Sequence, residues 1–404
     1  MTYTSRLRAG TGCVRRALER LGITLQDARF AEHGEHAASP DAPLVLVACS
    51  GGRDSMALAA LSRTVCASLG VRCGAVIVDH GLQRGSDAVA QQAAQRCSQL
   101  GLEPVTVHTV HVEVDGSGVE AAARQARYQA IITVAQRCGA SVVLLAHTKD
   151  DQAETIVIDL LRSGGLDALA GMPESFMLDS VRFARPLLSL TREQTTGICQ
   201  DLELPWWDDP TNGDGFDASE ELPADFPLRS RIRHSLIPYL RRFSGGDVVA
   251  HLAGMAQTAA LDKEYLDMQA DRVAAAATKY ACAAACGEAD TKDADAKDSD
   301  AKDAALSVPA APAAPIAPGA PSAPVALIWS VDALRGEHAA IRRRVIAHGL
   351  SSLGIAASSR HVEAIDRLIA EWHGQGPVSL PSGYTAIRKK HVIRLCQDGG
   401  HANR

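Results

Sequence analysis

Four short apolar runs, Leu44–Ala48, Ala75–Asp79, Val105–Val110 and Val142–Ala146, punctuate the first half of the chain. Between and after them lie longer stretches with helical character: Ser55–Leu69, Ser86–Leu100, Glu120–Arg137 and roughly Asp151–Arg162. Apolar residues at nearly every position suit strands covered on both faces. A shorter run at Arg182–Leu187 is expected to add an edge strand, and Thr191–Leu202 a further helix. This alternation predicts an α/β fold with a doubly wound, mainly parallel sheet. Ligands in such sheets bind beyond the carboxyl ends of the strands. Ser50–Ser55, Asp79-His80-Gly81 and His147 each follow a strand end, so they are expected to converge on one cleft.

The second half reads differently. Arg229–Phe243 and Asp247–Tyr280 have helical character, after an irregular, acidic Leu204–Pro227. From Glu288 to Ala304 the chain runs to Asp, Ala and Lys, and Pro309–Pro324 has a proline about every third residue. That composition cannot bury a core and reads as a tether. Beyond it, helices are expected at Ala339–Leu353 and Ser359–His373, then strand-like segments at Val378–Leu380 and Ala386–Leu395. The expected organisation is an N-terminal helical extension (1–40), a nucleotide-binding domain (41–215), a helical domain (216–281), a linker (282–326) and a small C-terminal α+β domain (327–404).

The chemistry starts at Ser50-Gly51-Gly52-Arg53-Asp54-Ser55. Two glycines between a strand and a helix allow a tight turn. The free N–H groups there suit a phosphate, and Ser50 and Ser55 add hydroxyls. Asp54 beside an anion makes sense if a divalent cation lies between them. The Lys-Ser/Thr pair of a Walker A loop is missing. The SGGxDS pattern resembles the PP-loop of N-type ATP pyrophosphatases, which cleave ATP at the α-phosphate. A second cluster, His147-Thr148-Lys149-Asp150-Asp151-Gln152-Ala153-Glu154, opens the helix after the fourth strand. Asp151 and Glu154 can share a helix face; acids there can also simply cap the helix. If they act in the site, removing them should cost rate with little change in melting temperature. A third cluster is Glu120 with Arg124 and Arg127, surface charges or stabilisers of a phosphate leaving group.

Charge refines this picture. The formal net charge of −6 argues against nucleic acid, but its distribution does not. Cys282–Ala304 holds seven acids and three lysines, whereas Pro227–Ser244 holds five arginines and no acid. Arg335–Arg404 holds eleven basic residues and five acids. A basic face can bind phosphates whatever the total. The ten cysteines form no CxxC pair, which leaves zinc ribbons and redox motifs unsupported. No apolar signal core opens the chain and no run is long enough to cross a bilayer, so a cytoplasmic location is expected.

The ordered set of motifs resembles the tRNA(Ile)-lysidine synthetases. It comprises Ser50–Ser55, Val78-Asp79-His80-Gly81-Leu82, Glu120–Tyr128, His147–Thr155, Arg162–Gly165 with Leu169–Met172, Arg185–Leu188, Trp207–Asn212 and Arg231–Pro238. Arg162–Gly165 reads RSGG where the family has RGSG, and an acidic stretch, Asp214–Asp225, precedes the RIRH segment. The resemblance implies a ligase that uses ATP and Mg²⁺ to join L-lysine to the wobble cytidine of a CAU-anticodon tRNA(Ile). It implies catalytic roles for Asp54, Arg127, His147, Asp151 and Glu154, and nucleotide binding by Ser50, Gly51, Gly52, Arg53, Asp54 and Ser55. Asp54 and Asp151 are the expected metal ligands. The basic segments Arg229–Arg242 and Arg342–Lys390 are expected to grip tRNA. Two rivals are a PP-loop tRNA thiolase, which normally brings a cysteine pair, and a non-catalytic nucleotide-binding module.

Overall fold

The computed structural model describes residues 4–32, 36–81, 85–110, 119–162, 164–213, 216–217, 220–282 and 325–397. The expected tether at Glu288–Pro324 lies outside them, as do Leu82, Ser163 and the side chain of Glu120. The chain divides into two compact units, 1–261 and 262–404.

The first unit opens with helix α1 (Ser5–Arg20). Strands β1 (Leu44–Ala48), β2 (Arg72–Asp79), β3 (Val105–Thr109) and β4 (Val142–Leu144) then alternate with α2 (Arg53–Leu69), α3 (Ser86–Gln99) and α4 (Val119–Cys138). After β4 come α5 (Lys149–Arg162), the short α6 (Leu166–Ala170), β5 (Ser175–Leu178), β6 (Val181–Ala184) and α7 (Arg192–Asp201). The six strands lie in the order β3-β2-β1-β4-β6-β5, all parallel except β5 against β6. The doubly wound sheet is thus as expected, with one correction. The run near Arg182–Leu187 is not the edge: β6 sits inside the sheet, and β5 closes it. Strand β5 has only four residues and no buried position, and its apolar stretch, Phe176–Leu178, is too short to stand out as a strand.

Strand β1 shows why the run Leu44–Ala48 is apolar throughout. Val45 and Val47 enter a core shared with α1, α2 and α3, while Leu44 and Leu46 enter a second core against α4. Alternate side chains face opposite sides of the sheet, and here both sides are covered. A third cluster joins Ala153, Val157 and Ile158 of α5 to Ile232, Ile237 and Val249. It anchors the segment formed by α8 (Leu228–Arg231), a π-helical turn (Ile232–Leu236) and α9 (Ile237–Ser244) on α5. Cys13, Cys49, Cys66, Cys73, Cys97 and Cys199 are free and buried, as small apolar residues.

The long helix α10 (Val248–Ala277) follows, and the division between units falls within it. The helix expected to reach Tyr280 stops at Ala277, and Thr278–Cys282 forms strand β7. The second unit continues with β8 (Val325–Ser330), α11 (Val331–Arg335), α12 (Ala339–Ser352), α13 (Ser359–Ala370), β9 (Val378–Leu380), β10 (Tyr384–Lys389) and β11 (Val392–Gln397). The strand-like stretch Ala386–Leu395 is two strands, broken where Lys390 takes a φ of 52°. The antiparallel sheet β7-β8-β11-β10-β9 buries Leu327, Trp329, Ile393 and Leu395 with Ile346, Leu350, Leu368 and Ile369 from α12 and α13. A side chain at Gly349 would come within 2.7 Å of the Trp329 ring, so α12 lies close over the sheet there. No described helix is long and apolar enough to cross a membrane.

Candidate active site

Strands β2 and β3 lie on one side of β1, and β4 lies on the other. The chain therefore reverses its winding between β1 and β4, and a crevice opens at the carboxyl ends of these two strands. The glycine loop leaves β1 there, and His147 and α5 follow β4.

Gly51 has a φ of 81°, the left-handed region open to glycine, and a side chain there would meet the Ala93 Cβ at 3.1 Å. The Ser50 N–H donates to the Ser55 hydroxyl at 3.2 Å, and that hydroxyl donates to the Gly52 carbonyl at 2.8 Å. Ser55 thus braces the loop from beneath. Gly52 is the N-cap of α2 and offers no side-chain cap. The first-turn N–H groups of the helix are left for an anion. The loop is held from outside by Trp206-Trp207-Asp208. The Trp207 N–H donates to the Gly51 carbonyl at 2.9 Å, and Asp208 accepts from Arg53 at 3.1 Å and from the Trp206 indole at 2.9 Å. Arg53, expected at the nucleotide, faces this latch.

Asp54 points into the crevice and accepts the hydroxyl of the fully buried Thr195 on α7. Burial, and then the charge of Asp151, push its carboxyl up to about 6. Asp151 does two jobs. Its Oδ2 accepts from the Thr148 backbone and hydroxyl, each at 2.8 Å, which is a helix-capping role. Its Oδ1 accepts from Arg192 at 3.1 Å. Burial works against its charge, but Arg192, His147 and Arg233 hold it below the ordinary carboxylate range.

Glu154 is 2% exposed and lies at the centre of an arginine cluster. Its oxygens accept from Arg192 at 3.1 Å and from Arg233 at 2.8 and 3.0 Å, with Arg229 at 3.5 Å. Arg192 also serves Asp150, which accepts its backbone N–H at 2.8 Å. Burial disfavours the Arg192 charge, but Asp151, Glu154, Asp54 and Asp150 outweigh it and hold the guanidinium firmly protonated.

His147 lies on the β6 side of the cluster. Its Nδ1 accepts from Arg185 at 3.3 Å, and Arg185 also donates to the Pro173 carbonyl and covers the Phe176 ring. Burial, only partly offset by Asp151, pushes the imidazole down to about 3. It is neutral at physiological pH with its proton on Nε2. Gln152 is pinned to Met172 by two hydrogen bonds, which fixes Leu169–Met172 beside α5.

Asp54, His147, Asp151 and Glu154 are therefore brought together, with the Ser50–Ser55 loop beside them. Arg127 is exposed on α4, where Arg124 stacks over Tyr128 at 5.2 Å. The cations in contact with Glu154 are Arg192, Arg229 and Arg233. Arg192 and Thr195 carry no sequence signal beyond their place in an ordinary helix. Arg229 and Arg233, in the basic segment expected to grip tRNA, turn inward onto Glu154. In the second unit Arg342 and Arg344 are likewise engaged, with Asp366 and Asp267. Arg388 donates to the Leu368 carbonyl at 2.5 Å and stacks over Trp372. Among the described residues, no three His, Cys, Asp or Glu side chains gather as a self-sufficient metal site.

Residues 26–240 match the PP-loop domain family, and residues 330–394 match the TilS substrate binding domain family. The chain is 55% identical over 417 residues to the tRNA(Ile)-lysidine synthase of Bifidobacterium longum subsp. infantis, covering 100% of both chains. It is 48% identical to that of Bifidobacterium animalis subsp. lactis, covering 100% of this chain and 98% of the relative. Against the Streptomyces coelicolor synthase it is 39% identical, covering 88% and 86%. Ordered motifs, a PP-loop at a topological switch point and identity over the full length agree: the chain belongs to the tRNA(Ile)-lysidine synthase family.

Proposed function

We propose that this chain uses ATP to join L-lysine to the wobble cytidine of a tRNA(Ile) with a CAU anticodon, in two steps at one site. First, the 2-carbonyl oxygen of the cytidine attacks the α-phosphorus of ATP; an adenylated cytidine forms and pyrophosphate leaves. Second, the ε-amine of lysine attacks C2, loses a proton and expels AMP. The product base pairs with A rather than G, so codon reading moves from AUG to AUA. The observation that carries this reading is the uncapped α2 N-terminus facing the same crevice as Asp54, Asp151 and Glu154.

The chain's own residues divide the work. The Gly51-Gly52 turn and the first N–H groups of α2 hold the β,γ-phosphates, with Ser50 adding its hydroxyl. Glu154 keeps Arg229 and Arg233 at the crevice, where they offset charge as pyrophosphate departs. Exposed Arg127 contributes from α4. The Nε2–H of neutral His147 is a donor for a phosphate or carbonyl oxygen. Asp54 and Asp151 fit a divalent cation, because the buried Asp54 carboxylate is disfavoured by the neighbouring Asp151 charge and a cation would offset it. Two carboxylates completed by nucleotide phosphates are a usual Mg²⁺ arrangement. They would hold Mg²⁺, which when bound neutralises phosphate charge.

The test is isotope exchange between pyrophosphate and ATP, run with tRNA but without lysine. Adenylation of the base predicts exchange that needs a CAU transcript and is lost in Asp54→Asn. Exchange that needs lysine but no tRNA would mean that lysine, not the base, is activated.

A further inference from the structure

Helix α9 carries an aromatic pair that no core claims. Tyr239 is 53% exposed and Phe243 80% exposed. Four residues apart, they share a helix face, and their rings stack with centroids 6.0 Å apart and planes at 19°. The other side of the helix buries Ile237 against Ile232, Val157 and Val249. The pair is therefore not left over from packing; α9 spends its apolar side on α5 and presents a second, flat surface outward.

Its setting is cationic. Arg241 and Arg242 lie between Tyr239 and Phe243 in sequence and are exposed, as is Arg231, and no acid occurs from Pro227 to Ser244. Asp247, the next acid along the chain, lies 3.8 Å from Arg241. The same stretch of chain reaches the active site, because Arg233 grips Glu154. At 1.5 Å per residue, Tyr239 and Phe243 lie roughly 9 and 15 Å along the helix from Arg233. A nucleotide reacting beside Glu154 brings its strand neighbours within that span.

An exposed ring plane among arginines fits an unpaired base, whose face stacks and whose phosphate meets a guanidinium. We infer that Tyr239 and Phe243 form a stacking platform for an unpaired base flanking the reacting cytidine in the anticodon loop. This rests on the proposed RNA substrate. It assigns the outward half of the basic segment to base stacking, while the inward half, Arg229 and Arg233, holds the catalytic acids.

The test uses the full chain and a CAU anticodon stem-loop with 2-aminopurine beside the reacting cytidine. Stacking predicts that the probe's fluorescence is quenched on binding and that Phe243→Ala recovers much of it. Phe243→Ala should weaken RNA binding about 5- to 100-fold, with ATP affinity and the salt slope unchanged. Phe243→Trp should restore affinity. Arg241→Ala with Arg242→Ala should instead flatten the slope, by roughly 0.7 per lost phosphate contact. If wild type binds the RNA and Phe243→Ala binds it equally well, the platform is refuted and the proposed reaction stands. If wild type does not bind the RNA, the substrate reading falls and the platform with it. Sedimentation supplies the remaining arm: a wild-type dimer that Phe243→Ala converts to monomer would assign the pair to a second copy of the chain and overturn the proposal.

Discussion

At the scale of single residues, the site concentrates charge where water is scarce. Asp54 illustrates the cost. Its folded carboxyl titrates near 6, above its ordinary range, so the fold prefers it protonated. Stability from this group is present at low pH and is lost as pH rises through about 6. Asp54→Asn keeps an acceptor for Thr195 and removes the charge. In chelator, the variant should be about 1–3 kcal/mol more stable than wild type at pH 8. The gain should fade as pH drops toward 4, while adenylation is lost at every pH. Melting curves across that range, beside pyrophosphate exchange, check both halves. For Glu154 a stability effect is expected beside the rate effect. Its carboxylate binds Arg192 and Arg233 from within the protein. Glu154→Ala leaves buried guanidinium groups uncompensated and should cost on the order of 3–5 kcal/mol as well as activity. Denaturant unfolding reads the first effect; normal stability with lost activity would place Glu154 on substrate rather than on the arginines.

At the scale of elements, two pieces outside the PP-loop set its geometry. Helix α7 supplies Arg192 and Thr195 to the acids, and Trp206–Asp208 latches the loop. Asp208→Ala removes this acceptor from Arg53 and from the Trp206 indole. It should raise the KM for ATP several-fold with a smaller effect on kcat, as steady-state kinetics can measure. An unchanged KM would make the latch dispensable. These elements also mark the limits of the sequence reading. Strands buried on both faces, such as β1, announce themselves as apolar runs, and the glycine loop announces itself by residue type. The apolar run of strand β5, Phe176–Leu178, is too short to mark a strand, and β7 follows an alanine-rich helix whose pattern continues into it. Arg229 and Arg233 look like surface charge in one dimension. Their inward turn depends on Ile232 and Ile237 docking on α5, a tertiary fact that no local pattern contains.

At the scale of the molecule, a net charge of −6 coexists with an RNA substrate because charge is sorted by position. Several arginines of the basic segments are spent on internal acids, and others stay outside. In the second unit Arg360, Arg367 and Lys390 are exposed, while Arg388 ties β10 to Leu368 of α13 and to Trp372 just after it. Arg388→Ala should therefore lower the melting temperature, whereas Arg360→Ala with Arg367→Ala should leave it unchanged and reduce the salt dependence of tRNA binding. Lysine transfer to the anticodon is directly measurable. Wild-type protein is incubated with ATP, Mg²⁺, labelled L-lysine and tRNA(Ile) transcripts carrying either CAU or UAU. The expected result is label in the CAU transcript alone, with one AMP and one pyrophosphate formed per lysine joined. ATP cleavage without label in that RNA, or equal labelling of the UAU transcript, would contradict it.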